Sequence, residues 1–247
     1  MLEVSKYNAS GNDFVIFHDS TKKDRSELAN KLCHRQNGVG ADGLIVILPH
    51  KTHDFEWQFY NSDGSTAAMC GNGTRACAHY AYNNNLAPKD MSFLTSSGII
   101  KASVDKDIVE TKFTKPIILQ ENIREFDMDF ILIDTGVPHL VTFTKNDFFD
   151  KEKAFVLREK YNANVNFARL QDDKLYVRTY ERGVEDETGA CGTGMAACFF
   201  QGILKKDISE NITVYPTSKE ELFFRINDND IYFKGAVKHT FDAKYFV

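Results

Sequence analysis

The sequence has little proline and tryptophan and no long apolar segment. It contains five Pro and one Trp in 247 residues, and an apolar run such as 44–48 is far too short to cross a bilayer. The first residues show no charged segment followed by an apolar one, which is the pattern of a signal peptide. Neither a membrane span nor an export signal is therefore expected.

Charge and cysteine content exclude further classes of protein. Lys and Arg number 30 against 35 Asp and Glu, so the net charge is -5, and the basic residues are scattered rather than clustered. A nucleic-acid partner is therefore not expected. The five cysteines are an odd number in a sequence without an export signal, which argues against a disulfide framework. Reduced thiols in a cytoplasmic protein are expected instead.

The most informative feature that is present is a repeated octapeptide. CGNGTRAC at 70–77 recurs 121 residues later as CGTGMAAC at 191–198, in the shared frame C-G-x-G-x-x-A-C. Such a repeat predicts a duplicated fold, and the chain is long enough for two halves. We place these halves at 1–113 and 114–237, with a C-terminal strand over 238–247 that could return to the first half.

Short strand-like runs bounded by Gly, Asn, Asp and Pro dominate the chain, as in antiparallel sheets. Helices are predicted at 26–33, 73–84 and 194–204. The last two follow the octapeptides and are apolar nearly all round, which favours a buried helix in the middle of its own sheet. The polar segment 114–129 is predicted to cross between the halves.

Each octapeptide places a cysteine ahead of a Gly-rich turn that opens a helix. The unpaired N–H groups and partial positive charge of a helix N-terminus favour a thiolate and can hold a carboxylate. Two such cysteines suit racemisation at the α-carbon of an amino acid, which needs an acid/base group on each face. Cys70 and Cys191 are the candidates. Cys77 and Cys198 lie beyond the first helical turn and are interpreted as core residues.

Other sites that use cysteine fit less well. Cys70 and Cys77 would lie about 10 Å apart along a helix, whereas thiolates on one zinc ion must lie within about 4 Å. No lysine context indicates a pyridoxal Schiff base, and no phosphate-binding loop is present. We therefore expect neither a metal nor a cofactor. A non-catalytic protein that binds amino acids stays open as an alternative.

Polar residues near the octapeptides could complete a site. Arg182 can clamp a carboxylate while the adjacent Glu181 engages an amine. The remaining polar positions are singly more often turns or caps than site residues: Asn12, Asn61, His139 and the turn predicted at 164–167.

Together these residues resemble the diaminopimelate epimerase family. The resemblance runs in order through GNDF, GVGADG, FYNSDGSTAAMCGNGTRAC, a Pro-His turn, NVNF and YERGVEDETGACGTG. It implies an α+β fold of two pseudo-symmetric halves, each a mostly antiparallel sheet or barrel around a central helix, with the active site in the cleft between them. It also implies a cofactor-independent isomerase that interconverts LL- and meso-diaminopimelate, in lysine and peptidoglycan biosynthesis. A proline racemase-like enzyme of the same fold is the related alternative.

The resemblance assigns roles to individual residues. Cys70 and Cys191 become the thiolate base and thiol acid of a two-base mechanism. His139 is a candidate supporting residue on the residue pattern alone, since its position after Pro138 could orient a group in the pocket. The implied partner is a small amino acid, and a homodimer is one arrangement that the sequence leaves open. The implied substrate contacts are Asn12, Asn61, Gly71, Asn72, Asn166, Glu181, Arg182, Gly192 and Thr193.

Two positions depart from the family pattern. Gly43 stands where many members have Gln. Val137 stands where an Asn that binds the distal end of the substrate is usual. Both departures bear on the range of substrates.

Overall fold

The computed structural model describes residues 1–66, 69–113, 115–146, 148–205, 207–228 and 230–246. The chain divides into two compact units, of which unit 1 is Met1–Thr111 with Gly235–Val247 and unit 2 is Lys112–Lys234. The boundaries predicted from the sequence lie at 113/114 and 237/238. Some residues of these predictions lie outside the described ones: 114, 247, and residues 67 and 68 of the family motif. None of the described helices has the length and apolar content that a bilayer crossing requires.

The described elements, in chain order, are β1 (Leu2–Ala9), β2 (Asn12–His18), α1 (Ser26–Cys33), β3 (Gly43–Leu48), β4 (Phe55–Asn61), α2 (Gly71–Asn83), β5 (Asp90–Thr95), β6 (Gly98–Asp105), β7 (Ile108–Lys112), β8 (Ile117–Glu125), β9 (Met128–Asp134), β10 (Pro138–Phe143), α3 (Lys151–Tyr161), β11 (Asn164–Gln171), β12 (Lys174–Glu181), β13 (Asp186–Thr188), α4 (Gly192–Lys205), β14 (Asn211–Pro216), β15 (Leu222–Asn227), β16 (Asp230–Ala236) and β17 (Lys238–Tyr245).

The two units repeat one topology. In unit 1 the strands pair in the order β17–β1–β2–β3–β4–β5–β6–β7, and in unit 2 in the order β8–β9–β10–β11–β12–β14–β15–β16, with β13 as a short hairpin arm on β12. The pairs β2–β3, β4–β5, β10–β11 and β12–β14 are parallel, and each is bridged by a helix, as a parallel connection usually requires. The other pairs are antiparallel. The predicted α+β fold of two similar halves is therefore confirmed.

Each unit has a core on both faces of its sheet. Helix α2 contacts β1, β2, β3 and β6, and α4 contacts β9, β10, β11 and β12. Strand β3 shows how the sequence specifies this arrangement: Ile45 and Ile47 belong to the core around α2, whereas Leu44, Val46 and Leu48 belong to the core around α1. Side chains alternate between the faces of a strand, so burial on both faces accounts for the continuous apolar run GLIVIL.

Several local predictions differ from the structure. Helices α2 and α4 begin at Gly71 and Gly192, two residues earlier than predicted. Helix α3 was not predicted at all, because only Ala154 and Leu157 of its eleven residues are buried. The segment predicted as a crossing contains strand β8, and the predicted turn at 164–167 is the beginning of strand β11.

Candidate active site

Cys70 occupies the position immediately before helix α2. Its backbone is extended (φ -148°, ψ 111°), and its carbonyl oxygen accepts the first helical hydrogen bond from Thr74 N at 2.9 Å. The half-buried thiol caps the helix, because Sγ accepts a hydrogen bond from Gly73 N–H at 3.4 Å. The sulfur therefore lies at the positive end of the helix, where a thiolate is stabilised.

Cys191 repeats this position in unit 2. Its carbonyl oxygen accepts from Met195 N at 2.9 Å, so it immediately precedes α4. The residue is 8% exposed, and its Sγ lies 3.5 Å from Thr193 Oγ1. The two aligned cysteines thus share a place at a helix N-terminus but differ in what the sulfur contacts.

The other three thiols belong to the cores. Cys77 and Cys198 are completely buried in α2 and α4, and burial raises the pKa of both well above the ordinary value. Burial likewise raises the pKa of Cys33 to about 12. These residues are therefore kept as protonated packing groups, in line with the interpretation of Cys77 and Cys198 from the sequence.

In unit 1 the structure brings Asn12 and Asn72 together. Asn72 Nδ2 donates to Asn12 Oδ1 at 2.6 Å, and Asn12 Nδ2 donates to Asp42 Oδ2 at 3.1 Å. Arg75, which is buried in α2, donates to Asn72 Oδ1 at 2.8 Å. The first turn of the helix is therefore fixed against the start of β2 through two amide side chains.

A charged cluster supports Asn12 from behind. Arg35 donates to both carboxylate oxygens of Asp13 at 3.0 Å and to Asp42 at 2.8 Å, and Lys6 Nζ lies 2.7 Å from Asp13. Burial would raise the pKa of Asp13, but the hydrogen bonds from Arg35 and Lys6 outweigh it and lower the pKa to about 2. Asp13 therefore stays ionised at neutral pH, and Arg35 links it to the loop that carries Asp42.

Asn61 ends strand β4 and donates from Nδ2 to Ser65 Oγ at 3.0 Å. Its partner across the β3–β4 ladder is Gly43. A Cβ at position 43 would lie 2.7 Å from Phe59 Cε2 and 2.9 Å from the carbonyl oxygen of Tyr60, so this backbone excludes a larger residue there. The departure from Gln at this position therefore has a packing reason in this chain.

In unit 2 a buried chain of hydrogen bonds leads to Thr193. Thr179 Oγ1 donates to Asn166 Oδ1 at 2.9 Å, Asn166 Nδ2 lies 3.1 Å from His139 Nδ1, and His139 Nε2 lies 2.9 Å from Thr193 Oγ1. His139 is completely buried, and burial lowers its pKa to about 3 against a smaller opposing effect of the Asn166 hydrogen bond. The imidazole is therefore neutral at physiological pH.

Asn166 itself is 0% exposed and uses both ends of its amide inside the protein. This arrangement does not suit the direct substrate contact that the resemblance implied for it. The sequence interpretation took 164–167 as a polar turn, whereas alternation along strand β11 directs Asn166 inward, onto helix α4.

Arg182 and Glu181 lie where β12 ends. Arg182 N donates to Asn164 Oδ1 at 2.8 Å, and its guanidinium donates to Asn162 O at 2.7 Å. Asn164 also donates from Nδ2 to Pro138 O at 3.1 Å, so it links Arg182 to the start of β10, where the sequence predicts a Pro-His turn. Asn164 is part of the NVNF motif, but the sequence analysis does not identify it as a site residue. Its pairing with His139 at the start of β11 is a register of the folded sheet, which the sequence does not show.

The aligned glycines Gly73 and Gly194 differ in how closely neighbouring side chains pack against them, so an added methyl group should affect stability differently at the two positions. A Cβ on Gly194 would overlap Asn166 Oδ1 and lie 3.2 Å from Thr179 Oγ1, whereas one on Gly73 would lie 3.3 Å from Cys70 Cβ. Alanine is favoured over glycine in a helix by about 0.5–1 kcal/mol, but overpacking costs about 1–3 kcal/mol.

We therefore expect Gly194→Ala to lower the free energy of unfolding by about 1–2 kcal/mol, and Gly73→Ala to change it by less than about 1 kcal/mol. Urea unfolding of the two variants measures both. An equal loss in both, or a larger loss at Gly73, would contradict the close approach of Asn166 to α4.

Comparison with known proteins supplies the family context. A family model described as diaminopimelate epimerase matches residues 4–116 and 131–240. Proteins named diaminopimelate epimerase from a Nitratiruptor species and from Campylobacter jejuni (strain RM1221) are 58% and 53% identical, over 98% and 99% of both chains. The crystal structure of a probable proline racemase from Agrobacterium radiobacter K84 superposes with a TM-score of 0.80 at 11% identity, covering 100% of this chain and 93% of the other. That last likeness concerns the fold alone.

Proposed function

Because this chain belongs to the diaminopimelate epimerase family, a family of isomerases, we propose that Cys70 and Cys191 are the acid/base pair that interconverts LL- and meso-diaminopimelate. The observation that carries the proposal is the repeated placement of a cysteine directly before a helix N-terminus, at Cys70 before α2 and at Cys191 before α4. No other described cysteine lies at a helix start, since Cys33, Cys77 and Cys198 are buried within helices.

The proposed reaction is a proton exchange at one α-carbon. One thiolate removes the α-proton, and the electron pair of the broken C–H bond is delocalised into the substrate carboxylate. The other thiol then donates its proton to the opposite face of the carbon. Each turnover leaves the donor as a thiolate and the acceptor as a thiol, so the reverse direction uses them in exchanged roles.

The helix starts that place the thiols also provide groups for the substrate. We propose that the backbone amides at Gly71 and Asn72, and at Gly192 and Thr193, stabilise the carboxylate as it gains charge. We assign additional substrate contacts to four side chains where strands begin or end: Asn12, Asn61, Glu181 and Arg182. Asn166 is not among them, because its amide is buried and hydrogen-bonded inside the protein.

A reducing compartment such as the cytoplasm suits this chemistry, because thiolates act only when they are not oxidised. The substrate is a small amino acid. The net charge of -5 and the basic residues scattered along the sequence argue against a nucleic-acid partner.

The direct test is incubation with LL-diaminopimelate in heavy water. We expect formation of the meso isomer, with about one deuteron entering each epimerised α-carbon. Incubation with L-proline under the same conditions tests the proline racemase-like alternative. Binding of diaminopimelate without deuterium exchange would show a binding protein and overturn the proposal.

A further inference from the structure

Unit 1 has an apolar group behind its cysteine-bearing helix. Phe14, Ile45 and Phe59 lie on β2, β3 and β4, and all three belong to the core around α2. Ile45 is paired with Phe59, and its Cδ1 would lie 3.6 Å from a Cβ on Gly73. The rings of Phe14 and Phe59 are in edge contact, with centroids 6.2 Å apart.

Unit 2 has polar residues at the equivalent positions. Asn166 corresponds to Ile45, and Thr179 corresponds to Phe59, because the members of each pair face each other across adjacent strands. Asn166 also lies against Gly194 of α4, as Ile45 lies against Gly73 of α2. His139 corresponds to Phe14 in the same way. His139 is paired with Asn164, which lies two residues before Asn166. Phe14 is paired with Gly43, which lies two residues before Ile45. Apolar residues fill this place in unit 1, so packing alone does not account for three polar residues in unit 2.

The orientation of the Asn166 amide is fixed by its surroundings. Its Nδ2 lies 3.2 Å from the carbonyl oxygen of Leu140, while its Oδ1 accepts from Thr179. Rotating the amide by half a turn would place Oδ1 against that carbonyl, which cannot donate. The amide N–H groups therefore face His139 Nδ1 and Leu140 O, which are nearer to Nδ2 than its third contact, Asn164 O at 3.5 Å.

This orientation determines the tautomer of His139. Because Asn166 Nδ2 is a donor, His139 Nδ1 must be the acceptor, and the hydrogen of the neutral ring must be on Nε2. Nε2–H then donates to Thr193 Oγ1 at 2.9 Å. Thr193 Oγ1 thus accepts the hydrogen bond from His139. Its own hydrogen can then be donated to its other contact, Cys191 Sγ at 3.5 Å.

We propose that Asn166 and His139 are positioning residues that commit the Thr193 hydroxyl to donate toward Cys191 Sγ, and so stabilise the thiolate of the second half specifically. This inference rests on the proposed acid/base role of Cys191. Cys70 is served differently, since its Sγ accepts from the Gly73 backbone N–H.

The charged groups near these hydrogen bonds are consistent with a neutral His139 imidazole. Arg182 is the charged group that acts on His139, and its positive charge disfavours a second one on the ring. The titratable neighbour of Cys191 within α4 is Cys198, whose raised pKa, caused by burial, keeps it protonated. Burial of the imidazole is the largest effect on its pKa, so the donor direction set by Asn166 persists across the working pH range.

The tautomer can be measured in the native protein by NMR with ¹⁵N-labelled histidine. We expect the Nδ1 of His139 to give the signal of an unprotonated nitrogen and Nε2 that of a protonated one, unchanged between about pH 6 and 9. His139→Gln identifies the signal among the seven histidines. In Asn166→Asp, whose carboxylate can only accept, Nδ1 should become protonated. A native Nδ1–H tautomer would overturn the proposal whether or not any variant folds.

The hydrogen bond from Thr193 to Cys191 is tested by the pH dependence of cysteine alkylation in the absence of substrate. The extent of alkylation is measured separately on the peptides that contain Cys70 and Cys191. Thr193→Val should raise the midpoint for Cys191 by about one pH unit, the equivalent of one hydrogen bond, and leave Cys70 unchanged. Thr193→Ser should restore the native midpoint. Thr142→Val is the matched control, because Thr142 is a buried hydroxyl on β10 that donates to Asp129 O instead.

An unchanged Cys191 midpoint in Thr193→Val, or an equal shift in Thr142→Val, would overturn the proposed chain of hydrogen bonds. These measurements need no turnover, so they are independent of the test of function. If the midpoints shift as expected but Cys191→Ala still epimerises, the hydrogen bonds stand and the acid/base role of Cys191 fails.

Discussion

Replacement of Cys70 or Cys191 by alanine should abolish epimerisation while the protein stays folded. Each thiol serves one face of the α-carbon, so neither can take over the role of the other. Loss of a general acid or base lowers a rate by roughly 10²–10⁴-fold, and because the pair acts as a unit the double variant should be little worse than either single one. Initial rates of meso isomer formation from LL-diaminopimelate measure the effect.

Cys77→Ala and Cys198→Ala are the matched controls. They make the same substitution inside the helices that Cys70 and Cys191 precede, but in buried thiols whose pKa is raised by burial. They should cost stability through a small cavity while turnover continues. Cys70→Ala also removes a helix cap, worth about 1 kcal/mol, so its free energy of unfolding must be measured beside its activity. Substantial epimerisation by a folded Cys70→Ala or Cys191→Ala protein would end the two-base mechanism.

The fold was predictable where one physical signal dominated. The repeated octapeptide predicted a duplicated fold, and the apolar run of β3 predicted a strand, whose burial on both faces the structure then showed. The same duplication could have located α3: α1 bridges the parallel strands β2 and β3, so a helix is needed between β10 and β11. Its own sequence gives a weak signal because its exposed face includes Phe155 and Val156.

The candidate site was predictable at the helix starts and less so on the strands. A cysteine before a Gly-rich turn has a definite place in a helix, and Cys70 and Cys191 occupy it. Asn166 and Asn164 are both asparagines in one short motif, and composition cannot tell which faces a core and which links two loops. That distinction depends on the register of β11 against β10 and β12, which is a property of the folded sheet.

Arg182→Ala should weaken substrate capture strongly. Its guanidinium is anchored by Asn162 O and its backbone by Asn164 Oδ1, which presents a planar cation at the end of β12. A charge-assisted contact to a carboxylate is worth roughly 1.5–3 kcal/mol, so kcat/KM should fall by about 10- to 150-fold. Arg182→Lys should recover only part of this, because an ammonium keeps the charge but loses the two-pronged geometry.

Arg178→Ala is the comparison that separates binding from structure. Arg178 lies on β12, four residues before Arg182, but its Nε donates to Glu187 Oε1 and its Nη2 donates to Glu187 Oε2, both at 2.7 Å. Its loss should lower the free energy of unfolding by about 0.5–1 kcal/mol and leave KM close to the native value, since it is partly exposed. The opposite pattern, with KM raised by Arg178→Ala and only stability lowered by Arg182→Ala, would make Arg182 the structural residue. The capture of the substrate carboxylate would then have to come from the helix amides alone, whose stabilisation is weaker and more easily screened by salt.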